Sequence, residues 1–298
     1  MTVPRVTIGM PVFNDIEFIE ESIESLLNQS YENFKLILSD DGSTDGSSDI
    51  CLKYAEIDDR IEYIRQPKNL GISRNMEFLA RESDTEYFMW AGDDDIWHKE
   101  FLEKCVSLLE LNKDAVVAFS KYDTITEAKK KLRTISKPAY SNASSFVRLK
   151  EFIRDADDGF GYGLLRTEVA QKVSFPVWWW PNRKTPYNNI YPTLCFYLAQ
   201  GNYKEYSEES LFYKRVKTEG RVNHKLIGEG NAFYETIAYV LRRFNLTVFS
   251  FREIRRAKNI GLAFRIFPLL IYNWFLLSSL QQINLAAKSF VKNRVLKN

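Results

Sequence analysis

The 298-residue chain predicts an α/β fold with a mostly parallel central sheet and a helical extension at its C-terminal end. Three observations carry that expectation. Short apolar runs alternate with amphipathic stretches through roughly the first hundred residues. Each run ends abruptly in a polar turn. Beyond about Lys217 the alternation stops and only helix-like patterns remain.

Taken in order, Val6-Thr7-Ile8-Gly9-Met10 reads as a buried strand stopped by Pro11, with Asn14 and Glu17 spaced as a capping box for the helix that follows. Ile19, Ile23, Leu26 and Leu27 fall on one face of that helix. Phe34 to Leu38 forms the next strand and runs into Ser39-Asp40-Asp41-Gly42-Ser43-Thr44-Asp45-Gly46, followed by a helix from Ser47 to Glu56. A third strand, Ile61 to Ile64, precedes a helix from Ser73 to Arg81. A fourth, Tyr87 to Trp90, enters Gly92-Asp93-Asp94-Asp95, after which Trp97 to Leu111 is expected to be helical, with His98 a surface residue of its first turn. In such sheets ligands bind beyond the carboxyl ends of the strands, where strand order reverses. The two acidic loops both lie at such ends.

Charge gives little away in total, with 41 basic against 39 acidic residues, and points to no nucleic acid. Its distribution is uneven: from Arg252 onward only Glu253 opposes the basic residues, so the remainder is net acidic. Cys51, Cys105 and Cys195 are few and odd in number, as expected of buried reduced thiols. Met1 to Arg5 passes straight into a strand without a charged-then-apolar leader, so a cytoplasmic location or the inner face of a membrane is expected.

Residue type then suggests chemistry. Adjacent carboxylates at a strand end accept hydrogen bonds from a base or from ribose hydroxyls, while Gly42 and Gly46 let the backbone turn beneath a ligand. Three consecutive aspartates concentrate charge that a cation relieves, and their hard oxygens suit Mg2+ or Mn2+ carrying a diphosphate. Arg74, after the third strand, offers a guanidinium fork for a diphosphate or base.

The stretches Val6 to Asn14, Asn28-Gln29-Ser30-Tyr31, Leu38 to Asp45, Asn69 to Asn75 and Gly92 to Trp97 together resemble the family 2 glycosyltransferases. That resemblance implies the Rossmann-like glycosyltransferase A fold and inverting transfer from a nucleotide sugar, often a UDP-sugar, with magnesium or manganese. Carried over by position, Pro11, Phe13 and Asp41 would cradle the nucleoside with Asp40 and Asn14 beside them. Asp93 to Asp95 would form the acidic motif, with Asp93 and Asp94 against the nucleotide and Asp93 and Asp95 on the metal, although the run aligns in two registers.

The second half resembles the family less closely. Gly161 to Arg166 matches an acceptor-side strand and turn, and Tyr191 to Tyr213 the closing helix and strand. Where the family places an aspartate as general base this chain has Asn189, and an amide takes no proton at neutral pH. Asp157 or Asp158 is the alternative base. Where a metal- or diphosphate-binding histidine often follows the last strand, this chain has Val216, with His224 further on. Trp178-Trp179-Trp180 suits either sugar stacking or a wedge into core or membrane interface.

Three helices are expected at the end: Asn231 to Phe244, Phe251 to Lys258 and Leu262 to Leu280. The apolar run Ile266 to Leu277 falls short of a membrane span and, flanked by basic residues, reads as a segment lying on a membrane surface within 262–298, with a buried helix or a dimer contact as the alternative. The organisation expected is a catalytic domain over 1–217, with a nucleotide-binding half 1–112 and an acceptor half 113–217, followed by a helical region 218–298. The function expected is transfer of a sugar from a nucleotide-sugar donor to a saccharide or lipid-linked saccharide acceptor of the cell envelope, with a homo-oligomer left open. A catalytically impaired donor-binding paralogue and a nucleotidyltransferase are the rivals. The first loop, Pro11-Val12-Phe13-Asn14, lacks the glycine-rich basic pattern of the latter.

Overall fold

A computed structural model describes residues 3–179, 186–188, 190–217, 232–257, 259–281 and 283. Its elements run β1 Val6–Val12, α1 Ile19–Leu27, β2 Phe34–Asp40, α2 Ser47–Ile57, β3 Ile61–Arg65, α3 Ile72–Glu82, β4 Tyr87–Trp90 and β5 Ile96–Trp97. There follow α4 Phe101–Leu111, β6 Ala115–Ile125, β7 Lys131–Ile135, α5 Ser145–Asp155, β8 Leu164–Arg166, α6 Thr167–Ala170, β9 Val177–Trp179 and β10 Pro186–Asn188. The chain continues through α7 Tyr191–Gln200, β11 Asn202–Arg215, α8 Ala232–Arg256 and α9 Ile260–Leu270, which passes into a π-helical segment, Ile271–Leu277.

The main sheet has the order β3-β2-β1-β4-β8-β6-β11-β5, with β7 against β6. Strands β3, β2, β1 and β4 pair in parallel, as do β6 and β11, while β8 is antiparallel to both β4 and β6, and β5 to β11. The parallel expectation holds for the first four strands, and the later part makes the sheet mixed. All of β1 and β4 is buried, as a strand covered on both faces must be, so these run as continuous apolar segments rather than alternating ones. Gly9 shows how closely the layers approach: a Cβ there would lie 3.0 Å from both Leu79 of α3 and Phe88 of β4. The order reverses between β1 and β4, which gathers the loops after β1, β2 and β4 at one edge.

Several expected boundaries shift. Asn14 does not cap α1, which begins at Ile19 without a side-chain cap; Asn14 instead has φ +52° and accepts from the Thr44 N–H at 2.8 Å. The acidic run is not followed directly by a helix. Ile96 and Trp97 pair with Tyr213 and Phe212, and α4 starts only at Phe101. His98 therefore lies before that helix, its N–H donating to Leu211 O. Local periodicity cannot foresee this, because the partner strand lies more than a hundred positions away. All three cysteines are buried and free, as expected.

The first two expected C-terminal helices are one continuous helix, α8. Together with α9 it packs onto the domain rather than standing apart. Leu246, Ile254, Leu262, Ala263, Ile266, Leu270 and Trp274 belong to the same buried cluster as the sheet. Trp274 meets Phe152 edge to face, lies tilted against Tyr191 and donates its indole N–H to Ile153 O at 2.8 Å. The continuous helix Ile260–Gln281 spans 22 residues, so the apolar stretch is long enough to cross a membrane by length and composition, contrary to the shorter span expected. One face of this helix is docked on the domain, whereas its Phe264, Tyr272, Leu276 and Leu280 remain exposed, as do Leu241 and Phe244 of α8.

Candidate active site

The loop after β2 is organised by two neighbouring aspartates with different tasks. Asp40 is fully buried. It accepts from Ser43 N–H at 2.8 Å, Ser48 Oγ at 2.6 Å, Tyr63 OH at 2.8 Å and Arg65 at 2.9 Å. Burial alone would raise its pKa, but the bonds from Ser48 and Ser43 outweigh burial and hold it below the usual range. Asp40 is thus a brace of the β2 loop, and it is not among the residues that line the cleft beside it. Asp41 accepts from the N–H groups of Leu70 at 2.6 Å and Gly71 at 2.8 Å, pinning the β3–α3 loop to the β2 loop. Gly71 adopts φ +75°, which a side chain would strain. Burial raises the Asp41 pKa in spite of those two bonds.

Asp41 lines a cleft of about 750 Å³ with Pro11, Phe13, Asp93, Asp94, Asp158 and Tyr162. Met76, Trp90, Phe175 and Ile190 supply an apolar wall. Phe13 is about half exposed at 49%, an uncommon state for a phenylalanine beside a cleft and one suited to stacking on a planar ring. Asn14 and Arg74 are not among the lining residues. Asn14 ties the β1 loop to Ser43 and Thr44, and Arg74 pairs with Glu77 at 2.6 Å.

The loop after β4 splits its three carboxylates. Asp93 accepts from the Phe13 N–H at 3.3 Å. Asp94 faces Lys217 at 3.2 Å. Asp95 is 2% exposed and its Oδ1 accepts from the Arg215 N–H at 2.7 Å. Oxygens of Asp15, Asp93 and Asp94 lie within 4.8 Å of one another. The carboxylates that stand close enough together to share a cation are thus Asp15, Asp93 and Asp94, whereas Asp95, expected beside Asp93 on the metal, has its Oδ1 engaged by β11. Burial first, and then the charges of Asp15 and Asp94, push Asp93 up to about 8. Burial likewise raises Asp15, against the lowering effect of Lys217. Crowded hard oxygens held at that electrostatic cost are a donor set that fits Mg2+ or Mn2+.

Beneath the cluster, the Arg215 side chain donates to Asp94 O at 2.6 Å and to Glu21 at 2.7 Å, and lies over the Phe18 ring at 4.2 Å. Across the cleft, Asp158 pairs with Lys214 at 2.7 Å, and the Lys214 ammonium also sits over the Tyr162 ring at 5.6 Å. Asp157 is not a cleft residue; it accepts from Tyr122 OH and Gly159 N–H. Asn189 and His224 lie outside the described residues, as do the side chains of Trp178 and Trp179 and all of Trp180. Val216 donates its N–H to Ile125 O, and the residue after it, Lys217, reaches the acidic cluster. Sequence reasoning missed Asp15, Arg215 and Lys217. The signal available was their position, since all three stand at carboxyl ends of strands.

Comparison with known proteins bears on this site. Residues 7–173 match the model described as glycosyl transferase family 2. The putative teichuronic acid biosynthesis glycosyltransferase TuaG of Bacillus subtilis is 29% identical over 124 residues, which is 42% of this chain and 49% of TuaG. The chain thus spans about half the length of that relative. Among solved structures, S. aureus TarS 1-349 in complex with UDP aligns at TM-score 0.59 and 14% identity, covering 97% of this chain and 92% of TarS. The mannosyltransferase PcManGT from Pyrobaculum calidifontis, in complex with GDP-Man and Mn2+, aligns at 0.52 and 14%, covering 99% and 81%. These two share the fold. With the acidic cleft standing at the reversal point of a glycosyltransferase A sheet, and the family model matching more than half of the sequence, the chain belongs to glycosyl transferase family 2.

Proposed function

We propose that the chain is a metal-dependent, inverting glycosyltransferase that takes a sugar from a UDP-sugar. The observation that carries the reading is the convergence of Asp15, Asp93 and Asp94 on one side of a cleft whose other wall holds Asp41 and Phe13. Phe13 stacks on the base, and Asp41 accepts from it while keeping the β3–α3 loop closed. The three carboxylates hold Mn2+ or Mg2+, which, when bound, stabilises the negative charge on the departing nucleoside diphosphate. TarS and PcManGT, described with UDP and with GDP-Man and Mn2+, support a nucleotide donor and a metal.

The test is a panel of nucleotide sugars screened for thermal stabilisation with and without Mn2+. A UDP-sugar at about a hundred times its Kd should contribute roughly 2.7 kcal/mol, a rise of several degrees, in the presence of Mn2+ only. A panel in which no nucleotide sugar stabilises the chain under either condition rejects the reading.

Asp158 is our candidate for the base that deprotonates the acceptor hydroxyl: its carboxylate lines the cleft and is oriented by Lys214. Asp158→Asn should lower transfer by about 10²–10⁴-fold with donor affinity unchanged. Full activity in that variant assigns the proton transfer elsewhere.

We further propose that residues 1–217 form the catalytic unit and that the outward apolar face of α8 and α9 rests on the cytoplasmic surface of a membrane, where a lipid-linked saccharide acceptor of the cell envelope is presented. Exposed Leu241, Phe244, Phe264, Tyr272, Leu276 and Leu280 form that face, and Arg252, Arg255 and Arg265 supply charge for anionic headgroups. Flotation with anionic vesicles should carry the chain upward, and Phe264→Glu with Leu276→Glu should leave it at the bottom. Failure of the parent chain to float counts against the surface contact.

A further inference from the structure

The Lys217 ammonium sits 2.5 Å from Asp15 and 3.2 Å from Asp94, two of the three carboxylates that converge on one point, and 5.1 Å from the Phe18 ring. It is the last described residue before 218–231, one position beyond where the family's histidine was expected. No other lysine or arginine among the described residues pairs with the side chains of this cluster; Arg215 touches Asp94 only through its carbonyl oxygen. Burial lowers the Lys217 pKa, but the bonds to Asp15 and the charge of Asp94 more than offset this, so the group stays cationic.

We infer that Lys217 is the resident counter-cation of the Asp15–Asp93–Asp94 cluster, one that a divalent ion must displace, and that it thereby sets the affinity of the site for metal. The inference rests on the reading above that this cluster is a divalent-metal site. An ammonium and a divalent ion held by the same Asp15 and Asp94 carboxylates would stand only a few ångströms apart, and their repulsion sets one against the other. Removing the carboxylates' repulsion is what both cations do, so each makes the other's binding weaker. The released ammonium is on a side chain long enough to turn to the anionic diphosphate that arrives with the metal. Metal and nucleotide therefore reinforce one another through Lys217: the nucleotide offers the ammonium a new partner, and the ammonium's departure frees the carboxylates.

Two measurements on the full chain test this. The first is a Mn2+ titration followed by electron paramagnetic resonance of the free ion, without nucleotide, for the parent, Lys217→Met and Lys217→Arg. Lys217→Met keeps the aliphatic stem over Phe18 and removes the charge, and should bind Mn2+ about tenfold more tightly, the scale of a partly exposed charge pair. Lys217→Arg should stay near the parent. Adding UDP should raise Mn2+ affinity by a larger factor in the parent than in Lys217→Met. The second uses the native chain: acylation of Lys217 by an amine-reactive ester, read by mass spectrometry, should increase severalfold when Mn2+ saturates the site. Equal or weaker Mn2+ binding by Lys217→Met, or acylation of Lys217 unchanged by bound Mn2+, overturns the counter-cation role while leaving the metal site standing. Absence of Mn2+ binding in all three proteins, with or without UDP, instead removes the metal reading and this inference with it.

Discussion

Asp94→Ala is expected to lower sugar transfer by about a thousandfold and to abolish the gain in donor affinity that Mn2+ provides, while leaving the fold intact. Its carboxylate is partly open to the cleft and bonded to nothing the sheet depends on; the support it receives from Arg215 goes to its carbonyl oxygen. Losing one of three metal oxygens removes several kcal/mol of stabilisation of the leaving diphosphate, and each 1.36 kcal/mol is about a factor of ten. Asp95→Ala should behave in the opposite way. That carboxylate is buried and holds the Arg215 N–H, so its loss should cost about 1–3 kcal/mol of stability and should reach metal binding only through the loosened loop. Calorimetry of a UDP-sugar with and without Mn2+, beside urea unfolding, separates the two. Intact metal-dependent affinity in Asp94→Ala, with complete loss in a stably folded Asp95→Ala, would assign the site to the other register.

Arg215→Ala is expected to be the most damaging change outside the cleft. The side chain is wholly buried. It joins β11 to the acidic loop through Asp94 O, to α1 through Glu21 and to Phe18 through its flat face. Truncation leaves Glu21 without this partner and removes the cation from beneath three crowded carboxylates. Breaking a buried pair costs about 3–5 kcal/mol, and because Glu21 is 31% exposed the lower end applies, about 3 kcal/mol. Mn2+ affinity should fall along with stability, since Asp93 and Asp94 lose the anchor that keeps them together. Arg215→Lys should recover the charge and little of the geometry, because one ammonium nitrogen cannot stand where both terminal guanidinium nitrogens stand, one at Asp94 O and the other at Glu21. Urea unfolding with a midpoint unchanged from the parent would show that the loop is held by other contacts.

The two acidic loops were legible because their signals are local. An apolar run that stops dead in Ser39-Asp40-Asp41-Gly42 or in Gly92-Asp93-Asp94-Asp95 marks a buried strand and its carboxyl end within a few residues. What each carboxylate does was not legible. Asp40 and Asp41 are neighbours, yet successive side chains leave a strand in opposite directions, so one is a buried brace and the other lines the cleft. Asp15 was read past because Asn14 and Glu17 have capping spacing, and a local pattern hid a tertiary task. Asp95 looked like a ligand because nothing nearby in sequence says that β11 will claim it. The continuity of α8 was missed for a simpler reason: Asn245 to Ser250 interrupts the apolar rhythm without breaking the backbone.

The pairing of Ile96–Trp97 with Phe212–Tyr213 has a consequence for the order of assembly. The Asp95 to Arg215 hydrogen bond joins residues 120 positions apart. Closing a loop of that length is a slow, high-contact-order event compared with pairing β1, β2 and β4. As the chain leaves the ribosome, the loops after β1, β2 and β4 are out while the acidic loop still lacks its clasp. On the proposed reading, metal binding is the last property the domain acquires, because Arg215 and Lys217 reach Asp94 only once β11 is in place.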